Sequence, residues 1–171
     1  SHCHLDFPEL AADRAGVLAR ARAAGINAMV TISTRVKRFD EIKAIAEAHP
    51  EVWCSVGTHP HHADEELDIF ADDLIRLSEH PRCVAIGEAG LDYFYDNAPK
   101  QGQETGFRRH IAAARITGLP LVIHSRSADV HMGGILREEM GQGAFPFLLH
   151  CFTGGADLAR TALELGGYIS F

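Results

Sequence analysis

The chain has 171 residues, with 16 Lys+Arg against 23 Asp+Glu for a formal net charge of −7, and 46 % of its residues are hydrophobic. Folding buries roughly 70 % of the unfolded surface of a chain this long, which excludes a disordered segment and a small disulfide scaffold. No apolar run approaches the roughly 18 to 20 residues of a membrane span, and the acidity disfavours electrostatic wrapping of a long nucleic-acid duplex, while leaving room for a strand end or small anion held through metal cations.

In chain order, the first stretch, Ser1-His2-Cys3-His4, carries neither the basic nor the apolar region of an export signal, so a cytoplasmic protein is expected. Apolar, partly β-branched runs follow at residues 26–33, 52–59, 83–91, 119–125, 145–152 and 167–171. Between them lie amphipathic stretches: Phe39, Ile42 and Ala46 step by three and four residues, as do Leu67, Phe70, Leu74 and Leu77. Gly25, Pro50, Pro81 and Gly118-Leu119-Pro120 punctuate the helices. Phe39, Phe70 and Phe107 are core positions by spacing, and residues 1–171 form one domain with no linker.

Continuous apolar strands are buried on both faces, and strict alternation with helices makes the sheet parallel. No G-x-G-x-x-G or Walker loop marks an open doubly wound sheet, whereas polar residues recur at the C-terminal ends of the strands, where a barrel places its active site. The fold class is therefore α/β, a TIM (β/α)8-type barrel. A full barrel needs about 250 residues and eight strands, so the sequence is expected to be cut at both ends, with the last strand-helix units missing.

Eleven histidines carry the chemistry. In a strand, residues i and i+2 share a face, so His2 and His4 both aim into the barrel mouth. Glu88 ends an apolar strand with a carboxylate that is costly to bury without a cation or hydrogen bonds. His124 and His150 end two more strands, and convergence of these five on a metal is predicted. Imidazole and carboxylate without thiolate suit zinc, manganese, iron or nickel, whereas magnesium favours more oxygen. Two divalent ions, zinc, manganese or magnesium, are expected, with Glu88 able to bridge them at about 3.5 to 4 Å.

His59 and His61 follow the third run and can bind substrate, donate a proton or cap a helix. Arg126, two residues after His124, shares its inward face if the strand continues, and its guanidinium would suit phosphate. Glu88, His59 and Arg126 are the candidate catalytic residues. Asp92 and Tyr93 either order their loop or touch substrate, and Thr153-Gly154-Gly155 offers backbone N–H groups to an anion. The four cysteines are widely spaced, with no Cys-x-x-Cys, so reduced thiols are expected. Cys3 and Cys151 are read as small core residues between strands and outer helices.

Ser1-His2-Cys3-His4-Leu5, Gly57-Thr58-His59-Pro60-His61, Gly87-Glu88-Ala89-Gly90-Leu91-Asp92-Tyr93, Ile123-His124-Ser125-Arg126 and His150-Cys151-Phe152-Thr153-Gly154 together resemble the TatD family of metal-dependent hydrolases, over essentially the whole chain and in the family's order. The resemblance implies a TIM-barrel metallohydrolase of the amidohydrolase-like superfamily with cytoplasmic deoxyribonuclease activity. It places His2 and His4 on a first metal, His124 and His150 on a second, and Glu88 between them. Two departures stand out. The family's Thr-Asp-Ser/Ala-Pro segment, whose Asp is a ligand, falls beyond Phe171, and Ser127 replaces an Asp after the family's His-x-Arg motif. The expected function is cleavage of phosphodiester bonds by metal-activated water, on DNA ends or single strands. The alternatives are hydrolysis of a small ester or amide, since fold does not fix substrate, or a non-catalytic truncated fragment. No membrane partner is expected.

Overall fold

The computed structural model describes residues 2–171. Its strands are β1 (His2–Cys3), β2 (Met29–Thr31), β3 (Val52–Val56), β4 (Cys83–Asp92), β5 (Leu121–Arg126), β6 (Phe147–Leu149) and β7 (Tyr168–Ile169). Its helices are α1 (Pro8–Ala11), α2 (Arg14–Ala23), α3 (Phe39–Ala48), α4 (Ala71–Ser78), α5 (Lys100–Thr117), α6 (Asp129–Gln142) and α7 (Ala156–Glu164). All seven strands are parallel and pair in chain order, as strand-helix-strand units with short connections dictate.

The sheet is curled into a half-barrel. His2 on β1 and His150 just after β6 have four strands between them in that order, yet their rings stack with centroids 3.6 Å apart. One face carries the helices: Phe107, Ile111 and Ala114 of α5, and Met132, Ile135 and Leu136 of α6, are buried there. The inner face is apolar as well, with Val30, Ile32, Ala85, Val122 and Leu148 lining a cavity of about 310 Å³ beneath His2 and His150.

Several strands are shorter than the apolar runs that predict them. Run 26–33 pairs only over Met29–Thr31 and run 145–152 only over Phe147–Leu149. Chain beyond the pairing turns into loops bonded across the mouth, as where the His59 N–H donates to the Thr34 carbonyl at 2.9 Å. The helix ends follow the sequence signals, with Gly25 and Gly118 left-handed at φ +82° and +71°.

Three core assignments divide. Phe39 and Phe107 are buried, but Phe70 is 56 % exposed. The periodic set from Leu67 to Leu77 becomes helix only at Ala71, after a 3-10 segment at Pro60–Glu66. Glu66 is drawn inward to accept from the Val36 and Lys37 N–H groups and the Thr58 hydroxyl, which breaks the helical phase, and the Phe70 ring lies 4.3 Å beneath the Arg109 guanidinium instead. Cys151 is exposed at the turn after β6, with φ +44°, and so is not a core residue. Cys3 is half-buried, its thiol donating to the Val30 carbonyl.

Candidate metal centre

Two glycines let β4 deliver its carboxylate. Gly57, at the end of β3, lies so close to Gly87 that a Cβ there would collide with the Gly87 backbone. Gly87 itself has φ +111°, which only glycine adopts without strain, and the register with β5 slips between Gly87 and Ala89. The bulge turns Glu88 inward, and its N–H reaches across to the Ser33 carbonyl at 3.1 Å.

Glu88 is 2 % exposed. His2 Nε2 is 3.4 Å from its Oε2, while His124 Nδ1 and His150 Nε2 are 3.2 and 3.5 Å from its Oε1. His4 Nε2 lies 3.2 Å from His2 Nε2. These contacts bring the five side chains together, from β1 and the residue after it, from within β4 and β5, and from the turn after β6. Two overlapping triples, His2-Glu88-His150 and His59-Glu88-His124, bring their ligand atoms within 4.8 Å of one another.

Hydrogen bonds on the far side of each ring fix which nitrogen faces inward. His4 Nδ1 is 3.2 Å from the Ile32 carbonyl, an acceptor, so the ring donates there and its Nε2 lone pair faces His2. His124 Nε2 is 2.9 Å from Asp92 Oδ2, which leaves Nδ1 to face Glu88. Such outer partners orient metal-binding imidazoles generally. His59 is held the opposite way. Its Nδ1 accepts from the His61 N–H at 3.2 Å, so its proton resides on Nε2 and the ring is a donor toward the cavity.

The electrostatics agree. Burial pushes the His59 imidazole down to about 3 and that of His150 to about 4, and burial lowers His4 as well, so all three are neutral at neutral pH, as metal ligation and hydrogen-bond acceptance require. Burial alone would raise the Glu88 carboxyl, but hydrogen bonds from His124 and His2 and the nearby His59 hold it well below the usual carboxylate range. Burial opposes a charge on His124, yet Glu88 and Asp92 on either side raise it above its ordinary value. A buried carboxylate ringed by imidazoles, with His4 and His150 kept neutral, is a donor set that fits divalent cations.

Asp92 carries more than loop order. Its Oδ2 is 2.9 Å from both His61 Nε2 and His124 Nε2, and its Oδ1 accepts from the Phe94 and Tyr95 N–H groups at 3.0 Å. Although burial alone would raise it, these partners bring its carboxyl down to about 2. Two residues of α5 support the site from behind. Gln103 accepts from the Asp92 N–H at 2.8 Å and donates to the Asp92 carbonyl, and His110 Nε2 accepts from the Thr58 N–H at 3.0 Å. Both lie on the buried face of α5 with Phe107 and Ile111, and a polar side chain at an apolar position of the helical period is the signal that marks them.

Arg126 stands apart from Glu88. It is exposed, and its guanidinium lies 4.3 Å over the Phe94 ring and 5.1 Å over Tyr95. The Gly155 N–H at the start of α7 is already bonded to Asp129 Oδ2 at 2.6 Å, so the Thr153-Gly154-Gly155 turn is a helix start braced by a carboxylate. No helix among the described residues is long and apolar enough to cross a membrane.

Comparison with known proteins finds relatives named as metal-dependent hydrolases. Over 174 residues the chain is 35 % identical to the uncharacterized metal-dependent hydrolase YabD of Bacillus subtilis, covering 100 % of this chain and 67 % of that protein. It is 35 % identical over 164 residues to the 3'-5' ssDNA/RNA exonuclease TatD of Pantoea vagans, covering 95 % and 63 %. The crystal structure of YJJV, a TatD homolog from Escherichia coli, superposes with a TM-score of 0.88 at 27 % identity, over 99 % of this chain and 65 % of that one. The chain thus spans about two thirds of the length of these relatives. The family profile described as TatD related DNase matches residues 1–171, and the chain belongs to that family.

Proposed function

We propose that the chain carries the metal centre of a hydrolase that cleaves phosphodiester bonds in DNA, acting on single strands or strand ends. The observation that carries this reading is the buried Glu88 carboxylate, met by His2 on one oxygen and by His124 and His150 on the other. His2 and His4 would hold one divalent cation, His124 and His150 a second, and Glu88 would serve both. When bound, such a pair lowers the pKa of water and neutralises charge on phosphoryl oxygens.

The remaining steps belong to the chain's own groups. His59, neutral and protonated on Nε2, donates a hydrogen bond to a non-bridging phosphate oxygen in the cavity of about 320 Å³ that it lines with Glu88, His124 and His150. Asp92 holds His124 with Nδ1 inward and keeps His61 at the rim. The name of the Pantoea vagans relative supports single-stranded DNA or RNA as the substrate class. Four free thiols suit a reducing compartment such as the cytoplasm.

The test is incubation with 5'-labelled single-stranded oligodeoxynucleotide in zinc, manganese or magnesium. Metal-dependent shortening that chelator abolishes is the expected result. An intact oligonucleotide, beside salt-insensitive cleavage of a neutral ester that oligonucleotide does not inhibit, would overturn the reading in favour of a small ester substrate.

Asp92→Asn keeps the shape of the side chain and removes the charge that His124 donates to. Divalent-cation affinity is expected to fall about ten- to a hundredfold, measured by isothermal titration of the chelator-stripped protein. An unchanged affinity would show that Asp92 does not hold His124 for the cation.

A further inference from the structure

The loop after β4 throws two aromatic rings outward beside the metal centre, and nothing in the proposed hydrolytic step uses them. Asp92 Oδ1 binds the N–H groups of Phe94 and Tyr95 in a tight turn, leaving Phe94 59 % and Tyr95 45 % exposed. The rings meet edge to face, with centroids 4.8 Å apart at 83°, and the Arg126 guanidinium lies 4.3 Å over Phe94. Tyr95 packs at 5.3 Å against His61, which shares Asp92 Oδ2 with His124. The pair is thus one layer of side chains away from a residue that faces Glu88. Lys100 Nζ sits 4.4 Å over Tyr93 in the same loop region, so aromatic faces and cations alternate along this rim.

We propose that Phe94 and Tyr95, steadied by Arg126, are a stacking platform for a base of single-stranded nucleic acid whose phosphate lies in the metal centre. The proposal rests on the phosphodiesterase reading. Every base offers a π-face, and stacking on an aromatic side chain contributes about 1 to 3 kcal/mol per base without regard to sequence. An acidic chain of net charge −7 repels a polyanion overall, so affinity from stacking supplies what long-range electrostatics does not. Arg126 and Lys100 place local positive charge where the flanking phosphates would pass. A protein partner would require a broader apolar patch than two rings and a guanidinium provide.

The test compares binding of a fluorescent oligothymidylate with that of an abasic strand of equal length, both with phosphorothioate linkages that resist cleavage. The wild-type protein is expected to bind the base-bearing strand at least about fivefold more tightly. The ratio should fall to unity in Phe94→Ala/Tyr95→Ala and persist in Phe94→Trp. Both rings are at the surface, and the single Phe94→Ala variant serves if the double one does not fold. A wild-type ratio of unity, or a ratio unmoved by the alanine variants, would overturn the platform. Turnover of bis(p-nitrophenyl) phosphate by the wild-type protein judges the hydrolytic reading separately. Base-dependent binding without turnover would remove that reading and leave the platform, and turnover without base dependence would do the reverse.

Discussion

Glu88→Gln is expected to empty both cation positions and to slow phosphodiester cleavage by roughly a thousandfold, the scale of losing several kcal/mol of charge stabilisation at the reacting phosphate. The substitution keeps the volume of a side chain that is only 2 % exposed, so packing is held constant while the charge and one oxygen acceptor are lost. His150→Ala should be milder for metal content, because His150 approaches Oε1 alone, whereas Glu88 faces His2 through Oε2 and His124 through Oε1. Elemental analysis of metal per chain checks this, with far-ultraviolet circular dichroism confirming that each variant is folded. Equal metal losses in Glu88→Gln and His150→Ala would remove the bridging assignment for Glu88.

The side chains that face Glu88 were legible because strand geometry is short-ranged. The two-residue period sends His2 and His4 to one face, and an apolar run that ends in Glu88, His124 or His150 sets each of them at the mouth. Their supports were not legible, since their partners are backbone atoms far away in sequence. His110 bonds the Thr58 N–H across 52 residues, and Gln103 bonds Asp92 across 11. Phe70 was misplaced for the same reason. Glu66 bonds Val36 and Thr58, and that long-range demand shifts the start of α4 past Phe70. Arg126 follows His124 at the spacing that predicts a shared inward face, but Phe94 and Tyr95 from the neighbouring β4 loop capture its guanidinium at the rim. Parallel order could be inferred from the alternation of strands and helices, whereas the curl appears only in a contact such as the stacked rings of His2 and His150.

His110 should make stability fall steeply on mild acidification. The ring is 2 % exposed, with Nδ1 2.8 Å from the Gly106 carbonyl and Nε2 accepting from the Thr58 N–H at 3.0 Å. A second proton would have to lodge on Nε2 against that N–H, and burial, the dominant cause, pushes the imidazole from 6.5 down to about 4. Unfolding restores the ordinary value. Between pH 6.5 and about 4 the unfolded chain therefore takes up a proton that the folded chain refuses. The contribution is whole above pH 6.5, declines as pH falls, and is gone below about pH 4, for a total of about 3 kcal/mol. Urea unfolding of the wild type and of His110→Gln at pH 4 to 7 isolates this part. The Gln variant, which can still accept from Thr58, should start less stable at pH 7 by about 1 to 2 kcal/mol and lose less on acidification. The two stability curves should thus cross between pH 7 and 4, leaving the variant the more stable at pH 4, and parallel curves would show that the proton is taken up elsewhere. Because Thr58 precedes His59, the same bond fixes the backbone that aims His59 into the cavity, so the variant should also raise KM for the phosphodiester at pH 7, where His110 carries no charge.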